Sequence, residues 1–170
     1  VGISLGNQTG FVGGVFYLLN DAVMQAGLFF WAGAIIHLYG VRNIEDLGRL
    51  HGGPGWMSAA LVVIALSMIG IPPTGGFFGK WYIILGALEA RNYLAIVAVL
   101  IATLLTLAYF IKLFERIFRE RSAQQPPLIR EVPLGVRISL GATAVAIILL
   151  GLMSDHIVSF LLKTAVPPGL

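Results

Sequence analysis

The residue in this 170-residue chain best placed to do chemistry is a lysine set just after two adjacent prolines in an otherwise apolar run. That run is Gly70-Ile71-Pro72-Pro73-Thr74-Gly75-Gly76-Phe77-Phe78-Gly79-Lys80. Proline lacks an N–H and disfavours helical geometry in the residue before it, so a helix arriving from Trp56 should stop near Gly70. Its last carbonyls then lack partners, and lipid supplies none. Such backbone persists at membrane depth only where it is packed in protein or lines a wet cavity, and an ionisable residue beside it marks an ion path. Thr74 is placed to cap the helix that resumes, Gly75 and Gly76 allow close approach, and Lys80 falls just beyond the first turn. The positive end of its own half-helix and loss of water both oppose its charge, while the carbonyl end of the preceding half supports it. Those opposed pulls predict an amine that gains and releases a proton. The plainer alternative is a lysine that snorkels to the interface.

A second polar cluster, Asn20, Asp21 and Gln25, sits near the middle of another apolar segment, Phe11 to Tyr39. Asp21 and Gln25 are four apart and share a helix face. An aspartate at that depth is costly unless it meets a partner or water, so it should face the protein interior, either as a proton relay or as interhelical glue. A third set, Thr103, Thr106, Tyr109 and Lys112, recurs every third residue and drifts slowly round its helix. It would line a wet path, although hydroxyls in such helices more often bond back to their own carbonyls. Other patterns carry less. Thr74 to Trp81 has neither the leading glycine nor the Ser/Thr of a phosphate-binding loop. Gly75 and Gly79 form a small-xxx-small pair that usually reports close packing. His37, His51 and His156 are too far apart to suggest a metal site.

The elements that must hold these residues are membrane helices. The chain is 58% hydrophobic and 11% charged with a mean hydropathy of +0.90, which excludes a soluble domain. Four apolar stretches, 11–39, 56–90, 93–118 and 134–153, each reach the roughly 20 residues needed to cross about 30 Å of hydrocarbon. The expected fold is all-α with about four spans. One of them is broken at Pro72-Pro73, as half-helices over 56–71 and 76–90. The net charge of +3 sits at helix ends, where it sets topology rather than binding nucleic acid. There is no cysteine, which excludes disulfides and thiolate-held iron–sulfur clusters from this chain.

Arg42 and Arg49 in the 40–55 connection, and Arg116, Arg119, Arg121 and Arg130 in the next but one, outweigh Arg91 in the turn between them. The 40–55 and 119–133 linkers are therefore expected to be cytoplasmic, which requires 56–90 to cross once and not to double back. Two half-helices of about 15 residues rise about 22 Å each, so together they overfill the bilayer and must tilt or protrude. The first residues read as the tail of an earlier helix, so a piece of a longer subunit is expected.

The ordered set Phe16-Tyr17-Leu18-Leu19-Asn20-Asp21-Ala22 to Gly33-Ala34-Ile35-Ile36, then Asn43-Ile44-Glu45-Asp46-Leu47-Gly48, then Gly70-Ile71-Pro72-Pro73 to Lys80 resembles the antiporter-like membrane subunits. That family is shared by NADH:quinone oxidoreductase (complex I), Mrp-type multisubunit Na⁺/H⁺ antiporters and membrane-bound hydrogenases. The likeness extends over nearly the whole chain and corresponds to the last third of such a subunit. It implies that Lys80 takes part in proton transfer, since the family's broken-helix lysine follows the same Gly-Phe-Phe-Gly. The chain departs from the family at Asp21 and Gln25, which stand where a histidine and a lysine of the central proton chain are usual. Glutamine holds no proton at ordinary pH and passes one only through waters it orients, whereas aspartate titrates.

The resemblance implies part of a proton-translocating or cation/proton-exchanging half-channel. Its implied partners are other subunits of a multisubunit complex, lipid, and protons or sodium. The implied location is a prokaryotic cytoplasmic membrane. Lys80, Asp21 and Gln25 are the expected proton-transfer residues; Gly70, Pro72, Pro73, Thr74, Gly75 and Gly76 form the break; Thr106, Tyr109 and Lys112 are secondary candidates. No cofactor is expected in the chain, and any redox chemistry would lie in other subunits. The rival expectation is a structural subunit that has lost its ion path, favoured by Gln25. A solute transporter built on broken helices would need a midplane pocket for which the sequence gives no sign.

Overall fold

A computed structural model describes residues 1–50, 55–119 and 132–164. All regular structure among them is helical. After a 3₁₀ turn at Ile3–Leu5 come six helices: α1 (Gln8–Tyr39), α2 (Gly55–Ile69), α3 (Gly75–Glu89), α4 (Tyr93–Arg119), α5 (Leu134–Leu152) and α6 (Ser154–Thr164), with a 3₁₀ segment, Ile44–Leu50, between α1 and α2. Gln8–Tyr39, Tyr93–Phe118 and Leu134–Leu152 are each long and apolar enough to cross a membrane, and Gly55–Ile69 is a shorter apolar helix. The protein is thus an all-α polytopic membrane protein.

The axis of the fold is α1, whose 32 residues rise about 48 Å. It starts three residues before the expected boundary because Asn7 caps it, accepting the Gly10 N–H at 2.9 Å. Alongside it, antiparallel, run α3 and then α2. Gly86 lies against Gly10, Ile83 against Gly13, Gly79 against Tyr17 and Gly75 against Asn20. Farther along, Ile64 packs on Gly27, and the Trp31 indole donates to the Met57 carbonyl at 3.1 Å. Two 15-residue half-helices and the break between them therefore match one long helix, and the excess length foreseen in the sequence is shared by α1 itself. The α1–α3 seam is made by backbone meeting backbone: a methyl added at Gly86 would stand 2.5 Å from Gly10 Cα, and one at Gly13 2.8 Å from the Ile83 nitrogen. Small residues of this kind let membrane helices approach closely. Asn7 Nδ2 donates to the Gly86 carbonyl at 2.6 Å, and both Asn7 and Thr9 donate to the Glu89 carboxylate, closing that end.

The other end is closed by a cluster that includes Leu38, Val41, Leu47, Phe110, Ile117 and Leu140, with Trp56 packed against it and the Arg137 guanidinium 5.9 Å from the Trp56 ring centroid. The 3₁₀ segment, the start of α2, the end of α4 and the start of α5 thus gather at one end of the bundle. Residues 51–54 and 120–131, with His51, Arg121 and Arg130 of the expected linkers, lie outside the described residues, as do the side chains of Arg49 and Arg119.

The last expected helix, 134–153, ends one residue early, and a further helix follows that the sequence reading did not foresee. Met153 interrupts the chain, and α6 carries on along α1, setting Val158 against Val12 and Phe16 with Phe78 and Tyr82 beside them. At Gly151 the end of α5 abuts the Pro73 carbonyl and Thr74. Two interruptions therefore sit next to each other, one between α2 and α3 and one between α5 and α6.

Candidate ion-path site at the broken helix

The break is built from the carbonyl end of α2 and the amide end of α3. Gly70 has φ +90, a left-handed conformation that glycine adopts freely, and the N–H groups of both Gly70 and Ile71 bond to the Leu66 carbonyl at 2.9 Å. The chain turns through Ile71 to Thr74, the Pro72-Pro73 peptide bond being cis. Thr74 occupies the N-cap position of α3, as expected, yet its hydroxyl does not cap it. Instead the hydroxyl donates backward to the Ile71 carbonyl at 2.7 Å, tightening the turn. The capping task passes to Ser67 of α2, whose Oγ accepts the Gly76 N–H at 3.2 Å. That pairing needs Gly76, since a methyl there would collide with the Ser67 carbonyl.

Lys80 is one turn on from Gly76, on the same face of α3, and its side chain reaches back across the break. The Lys80 Nζ donates to the Met68 carbonyl at 2.8 Å, to the Ile69 carbonyl at 3.1 Å and to Thr103 Oγ1 of α4 at 3.2 Å. These carbonyls are end groups of α2, which a helix leaves without internal partners and which carry the negative end of its dipole. Three N–H groups of an ammonium thus meet three oxygens. Lys80 is also part of the wall of a cavity of about 410 Å³, together with Tyr17, Leu18, Ile83, Val99 and Thr106.

The other expected residues divide. Asp21 and Gln25 are half-buried on α1 and do not line the Lys80 cavity. Of the row on α4, Thr103 touches Lys80 and Thr106 faces the cavity, and each hydroxyl also donates to its own helix, at Val99 and Ala102. Tyr109 is 49% exposed and lines a separate cavity of about 260 Å³ with Arg42 and Leu113, while Lys112 is exposed. The drift of a three-residue repeat round a helix separates the two ends of the row. His37 and His156 belong to α1 and α6 and do not meet in a metal site: among the described residues no three His, Asp or Glu side chains are placed to hold a metal ion.

Three residues of the site escaped the sequence reading of roles. Asn20, fully buried, donates through Nδ2 to Met24 Sδ at 3.3 Å and to Ser67 Oγ at 3.4 Å, and its Oδ1, pressed against Gly75, has no hydrogen-bond partner among the described residues. Ser67 links Asn20 of α1 to Gly76 of α3. Tyr17 lies over Gly79, whose added methyl would stand 3.0 Å from Tyr17 Cα, Cβ and Cδ2. Single polar residues facing inward from apolar helices leave no repeat to read, and only the α1–α3 register reveals what they meet.

Comparison with known proteins places these features. The family described as NADH:quinone oxidoreductase/Mrp antiporter, TM, matches residues 1–106. The NADH-quinone oxidoreductase subunit N of Desulforudis audaxviator is 32% identical over 179 residues, an alignment covering 98% of this chain and 36% of that protein. A Staphylococcus saprophyticus protein named as an antiporter subunit, mnhD2, is 29% identical over 153 residues, covering 88% of this chain and 30% of that one. Among solved structures, a chain of the Mrp complex from Dietzia sp. DQ12-45-1b superposes with a TM-score of 0.83 at 25% identity, covering 96% of this chain and 39% of that chain. A chain of respiratory complex I from Thermus thermophilus shares the fold with a TM-score of 0.78 at 24% identity, covering 95% and 35%. The chain thus spans little more than a third of the length of subunit N and of these solved chains. With the match covering most of the sequence and both break and lysine in place, this chain belongs to the NADH:quinone oxidoreductase/Mrp antiporter transmembrane family.

Proposed function

We propose that this chain forms part of a half-channel that moves protons, or exchanges them for sodium, within a multisubunit membrane complex. The observation that carries the reading is the placement of Lys80, whose ammonium bridges the carbonyl end of α2 and Thr103 of α4 while bordering a cavity. A charge held at a break in a membrane helix is costly unless it works or is paired, and here it is both paired and next to a space large enough for water. A change of charge at a neighbouring site would be felt at Lys80 through low-dielectric protein and move it between the carbonyls and the cavity. Asp21 and Gln25 of α1 would connect this step to the next site through ordered water.

The partners that fit are other subunits, as in the multisubunit assemblies it resembles, and lipid along exposed apolar residues such as Leu94, Leu104 and Leu105 of α4. The membrane is a prokaryotic cytoplasmic one, with the 40–55 and 119–133 linkers on the cytoplasmic side, as the arginine distribution favours. In sealed vesicles carrying the complete complex, Lys80→Ala should abolish ion translocation, read with a pH-sensitive dye, and leave assembly of the complex unchanged. Normal translocation by that variant would refute the reading. It would favour instead a structural subunit, which the absence of Asp21 and Gln25 from the cavity wall also supports.

A further inference from the structure

We propose that Tyr17 is the hydrogen-bonding step between Lys80 and the Asp21 face of α1, an assignment that rests on the ion-path reading of Lys80. The gap it would fill is visible in the site. Lys80 borders the cavity and Asp21 does not, so the two need an intermediary. Tyr17 is the residue that belongs to both surroundings. It lines the cavity with Lys80 and Thr106, and it lies one helical turn before Asp21 on the same face of α1.

Packing holds Tyr17 in that position. Its ring lies on the bare backbone of Gly79, the residue next to Lys80, with 3.0 Å from the site of any added methyl to Tyr17 Cδ2. A larger residue at 79 would push the ring off α3. The phenol is half-buried, and its hydroxyl makes no hydrogen bond among the described residues. A hydroxyl is at once a donor and an acceptor. The Lys80 ammonium gives a proton to a cavity water and ends as the neutral amine, that water passes one of its own protons to the phenol oxygen, and the phenol releases its proton through water toward Asp21. No net charge stays on the ring, and the Asp21 carboxylate ends as the acid. Thr106, whose hydroxyl already donates to Ala102, has no proton free for the same task unless that bond breaks.

The test compares Tyr17→Phe, Tyr17→His and Lys80→Ala in the complete complex, reconstituted in sealed vesicles with ion translocation followed by a pH-sensitive dye and assembly checked by native electrophoresis. Tyr17→Phe keeps the ring on Gly79 and removes only the hydroxyl. Translocation should fall roughly a hundredfold, the lower end of what a positioned proton-transfer group contributes, with assembly intact. Tyr17→His, which restores a group able to accept and donate, should recover most of the rate. A normal rate in Tyr17→Phe overturns the assignment and would leave Tyr17 a packing role, and an equal loss in Tyr17→Phe and Tyr17→His also overturns it, since a group able to accept and donate would then fail to restore transfer. If Tyr17→Phe is normal while Lys80→Ala is inactive, only the Tyr17 step fails. If Lys80→Ala is also normal, the ion-path reading fails with it.

Discussion

Lys80 and Asn20 handle buried polarity in opposite ways. Lys80 meets an oxygen with each of its three N–H groups, whereas Asn20, fully buried on the neighbouring helix, leaves its carbonyl oxygen unpaired. An unmet buried acceptor costs free energy, so the Asn20 amide must offset it through its bond to Ser67, which in turn accepts the Gly76 N–H in the first turn of α3. Ser67→Ala should strand both donors and lower stability by about 1–3 kcal/mol, measured by unfolding in mixed detergent micelles. Adding Asn20→Leu should cost less than the two single changes together, because the orphaned amide disappears with its partner, and strict additivity in that double-mutant cycle would show the pair to be uncoupled. Lys80 was legible in the sequence because packing alone seldom places two prolines and a lysine in an apolar run. Asn20, Ser67 and Tyr17 were not, since each is a lone polar residue whose importance depends on which helix it faces.

At the level of elements, the α2–α3 junction depends on backbone contact that only glycine permits. A methyl on Gly76 would occupy the place of the Ser67 carbonyl, and relieving that overlap would separate the half-helices and carry Met68 and Ile69 away from Lys80. Gly76→Ala should therefore destabilise the protein by more than about 2 kcal/mol, while Gly141→Ala, in open space on α5, should be neutral or stabilising by up to about 1 kcal/mol through helix propensity. Equal thermal midpoints for the two variants would contradict this account. The broken helix could be read from Pro72 and Pro73, whose chemistry ends a helix wherever it occurs. Helix α6 could not, because Asp155, His156 and Lys163 dilute its apolar pattern and its 11 residues are too few to span. Its place is settled by packing, through Val158 against Val12 and Phe16.

For the whole molecule, the number of spans followed from apolar length, whereas the way they nest came from the α1 register, to which α3, α2, α5 and α6 all conform. That nesting puts the Ile44–Leu50 segment and the α3–α4 turn at opposite ends. These 170 residues contain no cysteine, so a single cysteine introduced among them adds one identifiable labelling site. A cysteine at the exposed Glu45 should react with a membrane-impermeant maleimide in inside-out vesicles, and one at the exposed Arg91 only in right-side-out ones. Labelling of both from the same face would overturn the single crossing of α2 and α3. The meeting of Gly10 with Gly86 and of Gly13 with Ile83 has a further effect at this scale. Where two main chains touch, not even a single file of solvent fits between them, so the seam insulates that flank of the bundle. If the chain forms the proposed half-channel, its path would run along the flank that faces α4, and leakage around the lysine would be blocked by the absence of side chains rather than by the presence of bulky ones.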